Sequence, residues 1–348
     1  MSALRTPLLR RRQIGLALVF VLTVFSGLRT YAQTSSASRP ANEKIPIRVL
    51  IVDGQNNHAW ATTTPLLKRI LEQTGRFAVD VSTTPLKPTR PGLPKEATSE
   101  QKAAHAESIQ VFNAALADYQ AKHDELWAKW KPTFTNYAVV ISNYNGESWP
   151  ESVGSALVAF VKQGGGFVSF HAANNAFPEW PEYNRMIGVG GWGGRNEKSG
   201  PYLRFRQGVW EKIATPGSGG AHGPQHEFLM VAQAPEHPIM KGLPPKWMHA
   251  KDELYDSLRG PAENLTILAS AKSDRSKEDE PLLMAIAYGQ GRVFHTALGH
   301  SAESLQGLGF QVTFARGTEW AASGTVTLPA PKAGELSAEK TSLRSVNP

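Results

Sequence analysis

Four histidines and one pair of carboxylates stand out as groups that could do chemistry: His58, His171, His222 and His300, with Asp252-Glu253. Imidazole changes charge near neutral pH and can therefore carry protons. Neutral imidazole and carboxylate oxygen are also the donors that a zinc-like or manganese-like ion takes where sulfur is missing. The 348 residues contain no cysteine, which excludes thiolate metal sites, disulfides and a cysteine nucleophile. On this reading His171, Glu253 and His300 are the catalytic candidates, and His171, His222 and His300 the metal-ligand candidates. His58, Asn143, Asn145, Trp180 and Tyr183 are expected to bind substrate, the asparagines by donating to hydroxyls and the aromatic rings by stacking; Trp192 is read with them. His222 and His226 would chelate jointly only on a shared helical turn, and the glycines and Pro224 around them argue against that turn. His295 alternates into a strand and is read as core; His105, His123 and His237 are read as structural or solvated.

These side chains need elements that carry them to one place. Ile47 to Val52 is a buried strand ending at the polar loop Asp53 to Trp60, which holds His58. Thr63 or Thr64, with Pro65 next, is expected to open the following helix, and Phe77 to Val81 is the second strand. That βαβ order predicts a parallel sheet with right-handed crossovers. Tyr137 to Ser142 is the third strand, followed by Asn143, Asn145 and Glu147. A helix from about Ser152 to Gln163 stops at Gly164-Gly165-Gly166, and Phe167 to Phe170 then forms a strand with His171 at its end. Further strands are read at 228–231, 265–269, 282–288 and 292–298, the last ending in Gly299-His300, with a closing helix over 310–322. Asp252-Glu253 is read as a loop. In open α/β sheets ligands bind beyond the carboxyl ends of the strands, so these loops are expected at one rim.

Two stretches interrupt the pattern. Residues 98–130 read as one long helix or a helical hairpin, with Ile109, Phe112, Leu116, Tyr119, His123, Leu126 and Trp130 at alternating spacings of three and four. That seam must be buried against this domain, against a second copy in a homodimer, or over the site. Gly188 to Gly223 holds 11 glycines and is expected to be irregular. At the amino end, 1–32 reads as a signal peptide, with Arg5, Arg10, Arg11 and Arg12 before an apolar run, and 33–44 as a linker. Of the 37 Lys and Arg residues, five fall in that leader and none of the 30 acids does, so the remainder is nearly neutral and gives no pointer to nucleic acid. A periplasmic or secreted address follows, with no stable membrane anchor after signal removal. Residues 323–348, rich in Pro, Ala, Lys and Ser, are expected to form a flexible tail.

Five motifs, taken in order, give a resemblance: Gly164-Gly165-Gly166-Phe167-Val168-Ser169-Phe170-His171, Trp180-Pro181-Glu182-Tyr183, His237-Pro238-Ile239 with Gly242-Leu243-Pro244, Asp252-Glu253-Leu254-Tyr255, and Tyr288-Gly289-Gln290-Gly291-Arg292-Val293-Phe294 running to Leu298-Gly299-His300. The segment resembles the ThuA-like domain of trehalose-utilisation proteins. The resemblance implies an α/β domain over 45–322, flavodoxin-like and similar to class I glutamine amidotransferases, with a mainly parallel sheet and helices on both faces. The helical stretch 98–130 and the Gly-rich stretch 190–222 would be insertions in it. It also implies sugar metabolism, with trehalose, sucrose or their 3-keto derivatives as associated substrates, and it favours His222 over His226 as the family histidine. Amidotransferase chemistry is excluded, because there is no cysteine for the strand-end nucleophile. Two function classes remain: a hydrolase or lyase on glycosides or 3-keto-glycosides, with or without a zinc or manganese ion, and a non-catalytic carbohydrate-binding or assembly protein.

Overall fold

The computed structural model describes residues 45–346; the expected signal peptide and linker lie outside the described residues. The elements run β1 (Ile47–Asp53), α1 (Trp60–Glu72), β2 (Phe77–Thr83), α2 (Ser99–Lys129), β3 (Val139–Ser142), α3 (Glu151–Lys162), β4 (Gly166–Phe170) and α4 (Pro181–Ile187). They continue with β5 (Tyr202–Arg206), β6 (Val209–Ile213), β7 (Ala221–His222), β8 (His226–Ala232), β9 (Lys246–Asp252), β10 (Tyr255–Asp256), β11 (Leu265–Lys272), β12 (Asp279–Tyr288) and β13 (Gly291–Thr296). Two helices, α5 (Ala302–Leu305) and α6 (Leu308–Ser323), follow.

A nine-stranded sheet in the order β2-β1-β3-β4-β13-β12-β11-β8-β9 organises the molecule. Its first five strands are parallel and every later pairing is antiparallel. The sheet is therefore mixed, not mainly parallel, because short turns rather than helices join β11 to β12 and β12 to β13. Successive side chains on a strand face opposite ways, and β4 shows what each face meets. Phe167 packs on Tyr183 of α4, whereas Phe170 packs on Phe310 and Phe314 of α6. Both faces are thus covered at the centre of the sheet, and the inner parallel strands read as largely apolar runs for that reason, whereas edge strand β2 alternates buried and exposed positions.

Four successive antiparallel steps separate β13 from β9, so the two strands point the same way. In a flat sheet they would lie about 19 Å apart, at roughly 4.8 Å per strand. The sheet is not flat. β8 pairs with β11 at only two positions, and the register shifts within β11 and β8. Bulges of this kind sharpen twist, and the β8–β9 hairpin swings round until β9 packs on α5 and α6.

Three segments differ from the sequence reading. Helix α1 begins at Trp60, so Thr63 and Thr64 lie inside it, buried, and accept hydrogen bonds from the Asn143 side chain instead of capping the helix. Helix α2 is a single 31-residue helix opened by a Thr98–Gln101 capping box. Of its seam only Tyr119 and Trp130 are buried in this domain, joined by Trp127, which the seam did not include, whereas Ile109, Phe112, Leu116, His123 and Leu126 stay partly exposed. Residues 324–346 are docked, not loose: Leu336 and Val346 are buried, Met248 N–H donates to Ser337 O, and Leu308 N–H donates to Ser342 O. The segment covers the outer side of β9, whose edge hydrogen-bonding groups would otherwise be bare.

Candidate metal centre

His58 follows β1, His171 follows β4 and His300 follows β13, all at the carboxyl rim of the parallel strands. Glu253 follows β9 and reaches the same rim because of the swing just described. One ligand atom from each of these four residues lies within 4.8 Å of the others. Around Glu253 Oε2 stand His300 Nδ1 at 3.0 Å, His58 Nε2 at 3.5 Å and His171 Nε2 at 3.7 Å. Donors bound tetrahedrally to zinc at about 2.0–2.1 Å sit about 3.3 Å from one another, so the three distances to Glu253 are close to that edge length, and the four atoms would draw in slightly around an ion. His171 Nε2, His300 Nδ1 and Glu253 Oε2 are buried and have no hydrogen-bond partner. Buried polar atoms are normally paired, and lone pairs converging on one point fit a cation placed between them.

Each donor is fixed locally. His171 has φ 45°, in the left-handed region that a non-glycine residue occupies at a cost of about 1–3 kcal/mol. That turn sets its Nδ1–H on Ala297 O at 2.8 Å, which leaves Nε2 as the free lone pair. Burial holds the ring neutral by lowering its pKa to about 4. For Glu253, burial acts to raise the pKa, but the surrounding His58, His300, His171 and His222 outweigh it and the carboxyl lies below its ordinary value.

Asp252 ties the two sides together. Its wholly buried carboxylate accepts from Gly299 N–H at 2.7 Å, from the N–H groups of His300 and Glu253 at 2.9 Å, and from His249 Nε2 at 2.9 Å. Burial opposes its ionisation, yet these bonds and the neighbouring histidines leave its pKa below the ordinary value. The end of β9 is thereby clamped to the loop after β13. Gly299 permits the clamp: its φ is 117°, and a Cβ there would lie 2.2 Å from the Phe170 ring.

The remaining candidates take other places. His222 lies beside the four donors but does not join them: its Nε2 faces the second Glu253 oxygen, Oε1, at 3.7 Å, and its side chain is 37% exposed. The pairing of β7 with β10 puts it opposite Tyr255, so the Gly-rich stretch returns to the site instead of hanging free. Trp192 and Tyr255 continue this wall, with ring centroids 4.7 Å apart and Tyr255 4.4 Å from the His171 ring. Asn143 and Asn145 are spent on the loop that carries His58. Asn143 bonds Thr63, Thr64 and Asn56, and Asn145 donates to Asn57 Oδ1 at 2.6 Å. Tyr183 is wholly buried with its hydroxyl on Ala173 O, so no face is free to stack on a ligand. Trp180 packs against Tyr183 and Trp149, away from the four donors. His226 stays out of the cluster, bonded through Nδ1 to Pro224 O. Sequence reasoning treated Asp252 only as Glu253's neighbour and did not single out Tyr255; the available signal was that both stand in the Asp252-Glu253-Leu254-Tyr255 motif.

The family model described as ThuA, trehalose utilisation, matches residues 94–321. A crystal structure of a ThuA-like protein from Parabacteroides merdae is 39% identical, with a TM-score of 0.73, over 86% of this chain and 98% of that one. Another, from Bacteroides uniformis, is 16% identical with a TM-score of 0.49, over 83% and 97%. Comparison with curated proteins gave no match.

Proposed function

The chain belongs to the ThuA trehalose-utilisation family, and from that premise we propose that it is an exported sugar-active enzyme. The proposed activity is that of a hydrolase or lyase on a glycoside or 3-keto-glycoside related to trehalose or sucrose. The observation that supports it most is the convergence of three imidazoles and one carboxylate within 4.8 Å, with unpartnered buried donor atoms on His171, His300 and Glu253. Three nitrogens and one oxygen suit zinc or manganese; His58, His171, Glu253 and His300 would hold the ion. A divalent cation there would polarise a substrate carbonyl or hydroxyl oxygen.

The chain's own residues supply the rest. A ketone next to a ring C–H makes that proton acidic, and a base at the rim can take it. His222 is placed for proton transfer: it is open to solvent, its Nδ1 is bonded to Gly223 O at 2.8 Å, and Nε2 faces the site. Trp192, partly exposed beside it, offers an apolar face to a sugar ring. The parallel strand order β2-β1-β3-β4-β13 supports the flavodoxin-like reading, in which the rim beyond those strands is where ligands sit. The part-exposed half of the α2 seam supports a homodimer contact in the same reading. Among the described residues no helix is long and apolar enough to cross a membrane.

Elemental analysis of purified protein tests the reading, together with turnover of 3-keto-trehalose. About one divalent ion per chain is expected, lost with turnover in His171→Ala. Turnover that persists without any bound ion, or sugar binding without turnover that survives loss of every cluster histidine, would reject the metal-dependent enzyme.

A further inference from the structure

A second concavity lies on the α3–α4 side of the sheet, and none of the four ligand residues lines it. It is an open cleft of about 750 Å³, within the roughly 300–1,000 Å³ of small-ligand sites. Trp149, Phe177 and Trp180 form one wall, packed edge to face with centroids 5.4–6.5 Å apart. Gly154 and Val158 of α3 form the floor. Trp180 is the only one of the three rings not fully buried. It is held between the Tyr183 ring, stacked at 5.5 Å, and Gly154, where a Cβ would press on the indole at 3.2 Å. Glycine inside a helix costs about 1 kcal/mol relative to alanine, and here it makes room for that indole.

The rim is polar and mixed. Glu151, Glu179 and Glu182 offer acceptors, Lys162 offers a donor, and Ser148 and Ser155 offer both. An apolar ligand would leave these groups desolvated and unpaired, and a simple cation would meet Lys162 and have no use for the hydroxyls. A pyranose ring has an apolar C–H face and a girdle of hydroxyls that both donate and accept, and it complements an aromatic wall with such a rim.

We propose that this cleft is a second saccharide-binding site, separate from the histidine cluster, with the part-exposed edge of the Trp180 indole in its aromatic wall. The ligand class rests on the sugar reading of the family given above, but the site does not depend on the cluster's chemistry. It would hold a second sugar unit or a neighbouring chain while the rim site works on another.

The test follows the Trp180 indole N–H by NMR, assigned with Trp180→Phe, during titration with trehalose and with sucrose. A saturable shift is expected in the wild-type protein and equally in Glu253→Gln, which disables the cluster but leaves the cleft intact. Val158→Trp, which fills the floor, is expected to weaken the response at least tenfold; Glu151→Ala/Glu179→Ala, changed only at the exposed rim, should weaken it without threatening the fold. The proposal is overturned if Trp180 does not respond to either sugar at concentrations on the order of 100 mM, ample for a millimolar Kd. It is equally overturned if Val158→Trp and the rim variant both bind as the wild type does, or if Glu253→Gln abolishes the response. Failure of the enzyme reading alone, seen as no bound ion and no turnover, would leave the Trp180 response in place.

Discussion

Asp252→Asn should loosen the cluster without touching any of its ligands. The carboxylate accepts four N–H groups, from Gly299, His300, Glu253 and His249, at 2.7–2.9 Å inside a fully buried site. An asparagine of the same shape keeps one acceptor oxygen. If that oxygen stays with His300 and Glu253, the new NH2 group faces Gly299 N–H and His249. The His249 ring can move its proton to Nδ1, which has no partner at present, and accept from the amide. The Gly299 N–H has no such alternative. Leaving one buried amide unpaired costs about 1–3 kcal/mol, and the remaining bonds lose their charge assistance at about 1 kcal/mol more. A net loss of about 3 kcal/mol follows, which a domain of ordinary stability of about 5–15 kcal/mol survives. The strands that deliver Glu253 and His300 would then be less firmly clamped, and removing such a partner behind metal ligands weakens binding about 10–100-fold. Urea unfolding of metal-free protein gives the first quantity and zinc titration the second. A stability change below about 0.5 kcal/mol would refute the clamp. A full stability loss with zinc affinity unchanged would refute its role in positioning the cluster.

Two further expectations come from the same geometry. Gly299→Ala forces a side chain onto a backbone at φ 117° and into the Phe170 ring, so strain and overpacking together should cost at least about 3 kcal/mol; Gly75→Ala, at φ 68° with open space around it, should cost only about 1–2 kcal/mol by the same urea assay. Metal-free protein should also lose stability in mild acid. Burial lowers the His295 pKa to about 4 from an ordinary 6.5, and its Nδ1 and Nε2 are engaged by Ile187 O and the Asn174 amide. The folded state therefore holds fewer protons than the unfolded state between these values. The contribution is intact above pH 6.5 and falls by about 3 kcal/mol as the pH drops to 4. His295→Gln should flatten that part of the stability–pH curve, and a curve unchanged by the substitution would contradict the assignment.

The parallel half of the sheet could be read from the sequence because its inner strands are buried on both faces and appear as largely apolar runs that give way to loops holding Gly, Asn or His, while edge strand β2 still shows alternation. That reading carried His171, His300 and His58 to one rim, since parallel strands share a carboxyl edge. Strand β9 could not be read in the same way: Lys246-Trp247-Met248-His249-Ala250-Lys251-Asp252 mixes buried and exposed positions, and its burial depends on α5, α6 and residues 324–346 closing over it. The tail was misread for a similar reason, since composition shows its polarity but not the edge strand waiting for backbone partners. Tyr183 and the two asparagines carry the right functional groups for sugar, yet a hydroxyl or amide spent on Ala173 O, Thr63 or Asn57 is a matter of neighbours, not of residue type. Local pattern thus determined which loops lie at the rim. Only tertiary structure decided that Glu253, about 19 Å away in a flat sheet, is brought among the imidazoles, because bulges and a short β8–β11 pairing bend the antiparallel half back across the end of β13.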